Sequence, residues 1–125
     1  MANPSTVNAT ASGKEVLRRT FFDNVSESGD AILTAPTNHI CTILSIILLE
    51  RNGLTDAQFD LVMSPDGGTD LFLVINQPVT PAYGTFVWSD RFVITGGDVL
   101  KVTAKSAGGT ANFDVWCSYI DQDWT

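Results

Sequence analysis

His39-Ile-Cys-Thr-Ile-Leu-Ser-Ile-Ile-Leu-Leu49 is the most apolar stretch of the chain, and how it is read decides the fold. It stops at Glu50-Arg51-Asn52-Gly53, a turn signature. The uncharged run from Ile40 to Leu49 falls well short of the ~20 residues a membrane helix needs, and it is rich in β-branched side chains. It therefore reads as a strand. Ile40, Leu44, Ile46 and Leu48 share one parity, and Cys41, Ile43, Ile47 and Leu49 share the other. Since neighbouring side chains on a strand point to opposite faces, both faces are apolar and both need a cover. The cover comes either from this chain or from another subunit.

The rest of the chain reads as short strands between turns. The alternation predicts strands over Glu15–Phe22, Asp30–Thr34, His39–Arg51, Ala57–Met63 and Leu71–Ile75, the fourth with Ala57, Phe59, Leu61 and Met63 on one face and Gln58 and Asp60 on the polar one. A bent strand over Gly84–Thr95 is broken near Ser89-Asp90, and Pro78 and Pro81 confine Gln77–Tyr83 to a loop or a sheet edge. The clearest period of two follows Gly96-Gly97-Asp98, with Leu100, Val102 and Ala104 inward. After Ala107-Gly108-Gly109 the last strand turns Ala111, Phe113, Val115, Cys117 and Tyr119 inward and Asn112, Asp114, Trp116 and Ser118 outward. Asp121 to Thr125 reads as a short acidic tail. Because no 3.6-residue period persists, the expected fold is all-β, an antiparallel β-sandwich, jelly-roll-like, with an extended N-terminal arm. Residues 1–13 form the arm and residues 14–125 the single β-sandwich domain, a size that buries a real core.

Composition narrows the function. With 14 acidic and 7 basic residues the net charge is −7, which argues against nucleic acid, whose binders neutralise phosphate with clustered Lys and Arg. No membrane segment is expected. The N-terminus lacks a basic stretch followed by an apolar one, so no secretory signal is expected and synthesis in a cytoplasm follows. In that setting Cys41 and Cys117 are expected as buried free thiols, although their number permits a disulfide. Low charge with three Trp and seven Phe points to surface buried against partners.

Catalytic signatures are missing from the sequence. The single histidine, His39, has no nucleophile motif near it, and a metal site built on His39, Cys41 and Cys117 lacks a fourth ligand. Asp66-Gly67-Gly68-Thr69-Asp70 offers carboxylates to a calcium ion, but its spacing is not that of a twelve-residue calcium loop and an ordinary turn explains it. No cofactor and no metal are expected. The aromatic residues Trp88, Trp116, Tyr119 and Trp124 are the candidate partner-binding residues, because exposed aromatics dominate interfaces and also stack on sugars.

Ile47-Leu-Leu-Glu-Arg-Asn-Gly53, Phe92-Val-Ile-Thr-Gly-Gly-Asp-Val-Leu-Lys-Val-Thr-Ala104 and Val115-Trp-Cys-Ser-Tyr119 together resemble small β-sandwich structural proteins of tailed-bacteriophage virions. The resemblance spans about residues 38 to 120 and rests on turn chemistry and alternation. It implies a non-enzymatic virion protein, made in the host cytoplasm. The leading form is a capsid decoration, or cement, protein clamping major-capsid subunits as a homotrimer. A neck, tail or fibre-associated role is the alternative within the family. A carbohydrate-binding module using Trp88 or Trp116 with Asp90 or Asp114 is the alternative outside it.

Overall fold

A computed structural model describes residues 14–124, apart from 67 and 80. The expected N-terminal arm lies outside the described residues. Among the described residues nine strands follow one another: β1 (Lys14–Val25), β2 (Asp30–Thr34), β3 (His39–Glu50), β4 (Gln58–Ser64), β5 (Leu71–Pro78), β6 (Thr85–Trp88), β7 (Phe92–Thr95), β8 (Val99–Lys105) and β9 (Phe113–Asp123). Their pairing is nested. β4 pairs with β5, β3 with β6 and β7, β2 with β8, and β1 with β9, all antiparallel. The chain is thus one long hairpin rolled up, and the further pairs β3–β9 and β4–β8 divide it into two sheets. Their orders are β1-β9-β3-β6/β7 and β2-β8-β4-β5, with β6 and β7 end to end along β3. Counting β6 and β7 as one broken strand, this is the eight-stranded jelly roll.

The core lies between the sheets. Phe59 of β4 meets Phe86 at 5.1 Å and Phe113 at 5.9 Å between ring centroids, both edge to face, and so joins the sheets across their middle. β8 and β9 follow their period of two throughout, burying Leu100, Val102 and Ala104 and then Phe113, Val115, Cys117 and Tyr119.

The two-faced reading of β3 is corrected by a bulge. The register against β9 runs Ile43 to Tyr119 and then Ser45 to Ser118, so one extra residue enters β3 at Leu44. Before it the odd residues Cys41 and Ile43 are buried; after it the even residues Ile46, Leu48 and Glu50 are. A bulge exchanges the parities of a strand. Both parities are apolar in sequence because each supplies the core for half the strand. Opposite the bulge, the partner strand is interrupted: Phe92 pairs with Ile43 and Trp88 with Ile46, leaving residues 89–91 between them. The Trp88 indole Nε1–H donates to the Asp90 carbonyl at 2.8 Å and braces the break.

At the end of β3, Glu50 is fully buried. Its Oε1 accepts the Asn52 N–H at 2.7 Å, and its Oε2 accepts those of Leu54 at 2.9 Å and Tyr83 at 3.4 Å. The carboxylate ties the β3–β4 turn to the loop before β6. Gly53 within that turn has φ +73°, and a Cβ there would stand 2.7 Å from the Tyr83 ring, so a side chain at this position is strained and would displace that ring.

Two acidic residues depart from the sequence reading. Asp60, expected on a polar face, is buried, because β5 covers it; its carboxylate pairs with Lys105 Nζ at 2.7 Å and accepts the Asn76 N–H at 2.8 Å. Asp121 belongs to no tail, since β9 runs on to Asp123 and Asp121 is buried within it.

Candidate functional site

The outer face of the five-stranded sheet carries an ordered set of exposed apolar side chains. Residues far apart in sequence reach it through the register. Phe21 of β1 lies opposite Trp116 of β9, Trp116 opposite Ile47 of β3, and Ile47 opposite Val87 of β6. These four form one row across the sheet, three strand spacings or about 14 Å wide. Leu49 flanks the row on one side; on the other the polar row Arg19, Ser118 and Ser45 comes first, and four positions from Phe21 and Trp116 a second row joins Leu17, Ile120, Thr42 and Val93. In the first row and its flank exposures run from 37% for Leu49 to 61% for Phe21, while Ile120 and Thr42 of the second row are half-buried.

The row has internal order. Phe21 stacks on Trp116 with ring centroids 5.4 Å apart and planes 17° from parallel. The Arg19 guanidinium lies 5.0 Å from the Trp116 centroid and 5.9 Å from that of Phe21, a cation–π arrangement that holds a charge over the aromatic pair. A shallow groove of about 310 Å³ runs beside it, lined by Phe21, Asp23, Ile47, Leu49, Asp114 and Trp116 among others. Asp114 is engaged at its rim, 3.1 Å from Arg51 Nη1.

The four aromatic residues singled out from sequence do not converge. Trp116 faces outward, as its strand parity implied. Trp88 opposes the buried Ile46, packs against the core and sits edge to face on Phe92 at 6.3 Å. Tyr119 is a core residue, 8% exposed. Trp124 is exposed beyond the end of β9, where its N–H donates to the Asn38 carbonyl at 3.0 Å. Trp116 and Trp124 are therefore the two with surface to offer, and they lie apart. Phe21, Ile47 and Val87 were missed, because only the strand register assembles them beside Trp116.

A second apolar surface lies on the other sheet. β5 is an edge strand, and Leu71, Phe72, Leu73 and Ile75 on it are all exposed. No residue from Leu71 to Pro78 is charged. An uncharged apolar edge is one that soluble proteins normally blunt or cover.

The titratable groups between the sheets have a structural arrangement. Asp121 Oδ1 is 2.6 Å from His39 Nδ1, and its Oδ2 accepts Arg18 Nε–H at 2.9 Å, so one carboxylate ties β1, β3 and β9 together. The Cys41 and Cys117 thiols are free and buried. Burial, with the Asp121 carboxylate adding to it, pushes the Cys41 thiol up to about 11. Burial and the neighbouring Cys41 push Cys117 up to about 12. Both are protonated at neutral pH and poor nucleophiles. Among the described residues, no group of three or more His, Cys, Asp or Glu is placed to hold a metal ion. The Asp66 backbone N–H donates to Asp98 Oδ1 at 3.1 Å, which ties the 64–70 turn to the β7–β8 turn.

No protein-family model matches this sequence, and no curated protein matches it. Solved structures share its fold. A chain in the acid-stable capsid of Helicobacter pylori bacteriophage KHP30 superposes with a TM-score of 0.51 at 10% identity, covering 92% of each chain. VP2 in the subviral particle of infectious bursal disease virus gives 0.50 at 12% identity over 90% of this chain and 34% of VP2. A pentameric capsid protein from metagenomic phage sequences gives 0.41 at 19% identity over 83% of this chain, which spans 61% of that protein's length. At these identities the likeness is one of fold, and the fold is a jelly-roll sandwich that is also found in viral capsids.

Proposed function

We propose that this chain is a non-enzymatic structural component of a bacteriophage virion, and specifically a capsid decoration protein that stabilises contacts between capsid subunits. The observation that carries the reading is the pair of separate apolar surfaces, the outer face of one sheet and the β5 edge of the other. A clamp needs two contacts, and a single small jelly roll that exposes two apolar surfaces is suited to bridging neighbours. Two further observations support it. The KHP30 capsid chain shares the fold over 92% of each chain, so a sandwich of about this size occurs in that capsid. The net charge of −7 suits the outside of a head better than its DNA-facing interior.

A neck, tail or fibre position would use the same surfaces, and location separates these roles. The homotrimer implied by the family resemblance is one assembly open to such a chain. The carbohydrate reading loses one of its two tryptophans, since Trp88 is packed on Phe92 and the core.

The test is quantitative mass spectrometry of gradient-purified virions. A decoration protein is present at a fixed ratio to the major capsid subunit, with many copies per particle. Absence from the particle, or a copy number of a few per virion, would remove the capsid role.

A further inference from the structure

We infer that the outer face of the five-stranded sheet is a two-fold contact with a second copy of this chain. The inference goes beyond the proposed function and does not rest on it. Three features of the face carry it.

The first is area. Taking roughly 150–250 Å² for each large apolar side chain, the exposed parts of the contiguous set Phe21, Ile47, Leu49, Val87 and Trp116 come to about 400 Å². The largest apolar patch of a typical monomer is about 300–600 Å² in all, and a standard specific interface covers about 800 Å² per partner, rim included. With its polar rim this face has the size of one half of a stable dimer.

The second is shape. The face belongs to a sheet, and two sheets pack face to face about 10 Å apart, with their side chains interdigitating. The row from Phe21 to Val87 runs straight across the strands.

The third is charge, and it selects the occupant. On β1, Phe21 is flanked two residues before by Arg19 and two residues after by Asp23. Arg19 lies over the aromatic pair, and Asp23 lines the groove on the other side of the row. A two-fold axis lying along the row keeps each strand over its own counterpart and exchanges the two sides of the row. Arg19 of each copy then faces Asp23 of the other, while Phe21 and Trp116 pack on their own equivalents. A closed two-fold contact requires this kind of self-complementarity. With partners of unrelated sequence, the opposite charges flanking one row would have no reason to match.

The test is mass by light scattering across a concentration series, for the full chain and for Arg19→Asp, Asp23→Arg and Val87→Asp variants, with circular dichroism to verify folding. The expected wild-type species has twice the 13.5 kDa of the chain. Each charge reversal weakens the dimer at least ten-fold, and so does Val87→Asp at the far end of the row. Mixing the Arg19→Asp and Asp23→Arg proteins in equal amounts restores a dimer, because each unlike pair then forms across the contact. A wild type that is monomeric or trimeric overturns the inference. So does a dimer indifferent to the reversals, or two folded single variants that fail to recover on mixing.

Discussion

The bulge in β3 can be tested by four alanine substitutions. Ile43 and Ile46 are fully buried on opposite parities, while Leu44 is half-buried at the bulge and Ile47 is 38% exposed on the outer face. Ile46→Ala removes three carbon groups, at about 0.8 kcal/mol each. The cavity left adds roughly 1 kcal/mol if about 50 Å³ stays open, giving ~3.5 kcal/mol, within the usual range for such changes. Ile43→Ala should cost the same. Ile47→Ala gives up only part of its burial and leaves no closed cavity, so about 1–1.5 kcal/mol is expected, and Leu44→Ala should stay below ~2 kcal/mol. The assay is urea unfolding, with the slope checked for constancy and two protein concentrations used because Ile47 lies on the proposed dimer face. The pattern is the diagnostic: Ile43 and Ile46 respond together, and Leu44 and Ile47 together. An unbroken strand would instead group Ile43 with Ile47 and Leu44 with Ile46, and that grouping would refute the bulge.

Glu50→Ala leaves the N–H groups of Asn52, Leu54 and Tyr83 without their acceptor and should cost about 3–5 kcal/mol, with Glu50→Gln costing less because one carbonyl remains. Thermal melts of the two variants check this; losses under ~1 kcal/mol for both would show that the carboxylate is not what holds the two loops. Folding raises the thiol pKa values of Cys41 and Cys117 from about 9 to about 11 and about 12, so the unfolded chain releases these protons first as pH rises. Stability is therefore complete below pH 9 and declines above it, by about 1.4 kcal/mol per pH unit for each thiol, until the folded thiols ionise. Urea midpoints at pH 8, 9 and 10 should fall less steeply for a Cys41→Ala/Cys117→Ala double variant than for the natural chain, and parallel curves would contradict the assignment.

Strands that obey one period from end to end were legible in the sequence. β8 and β9 show their inward residues in the sequence because nothing interrupts their alternation, and β2 has its expected bounds although its register against β8 shifts between Ala31 and Leu33. The break between β6 and β7 was legible from the polar Ser89-Asp90 pair within an apolar run. The bulge in β3 was not, since apolar residues stand on both parities and no side chain marks where they exchange. Asp60 and Asp121 were read as solvent-facing because their charge is local, while the groups that compensate it are distant: Lys105 for Asp60, and His39 and Arg18 for Asp121. The candidate interface was the least legible part. Phe21, Ile47, Val87 and Trp116 stand on four strands, and only the pairing register places them in one row. Trp116 was found because its strand alternates cleanly; the other three carry no linear signal.

We propose the outer face of the five-stranded sheet as an assembly surface. Electron cryomicroscopy of the virion at a resolution that shows side chains tests it most directly. The account predicts density for this sandwich on the head, with Phe21, Trp116, Ile47 and Val87 buried in a protein contact. A reconstruction that shows the same row facing solvent in every copy would contradict it.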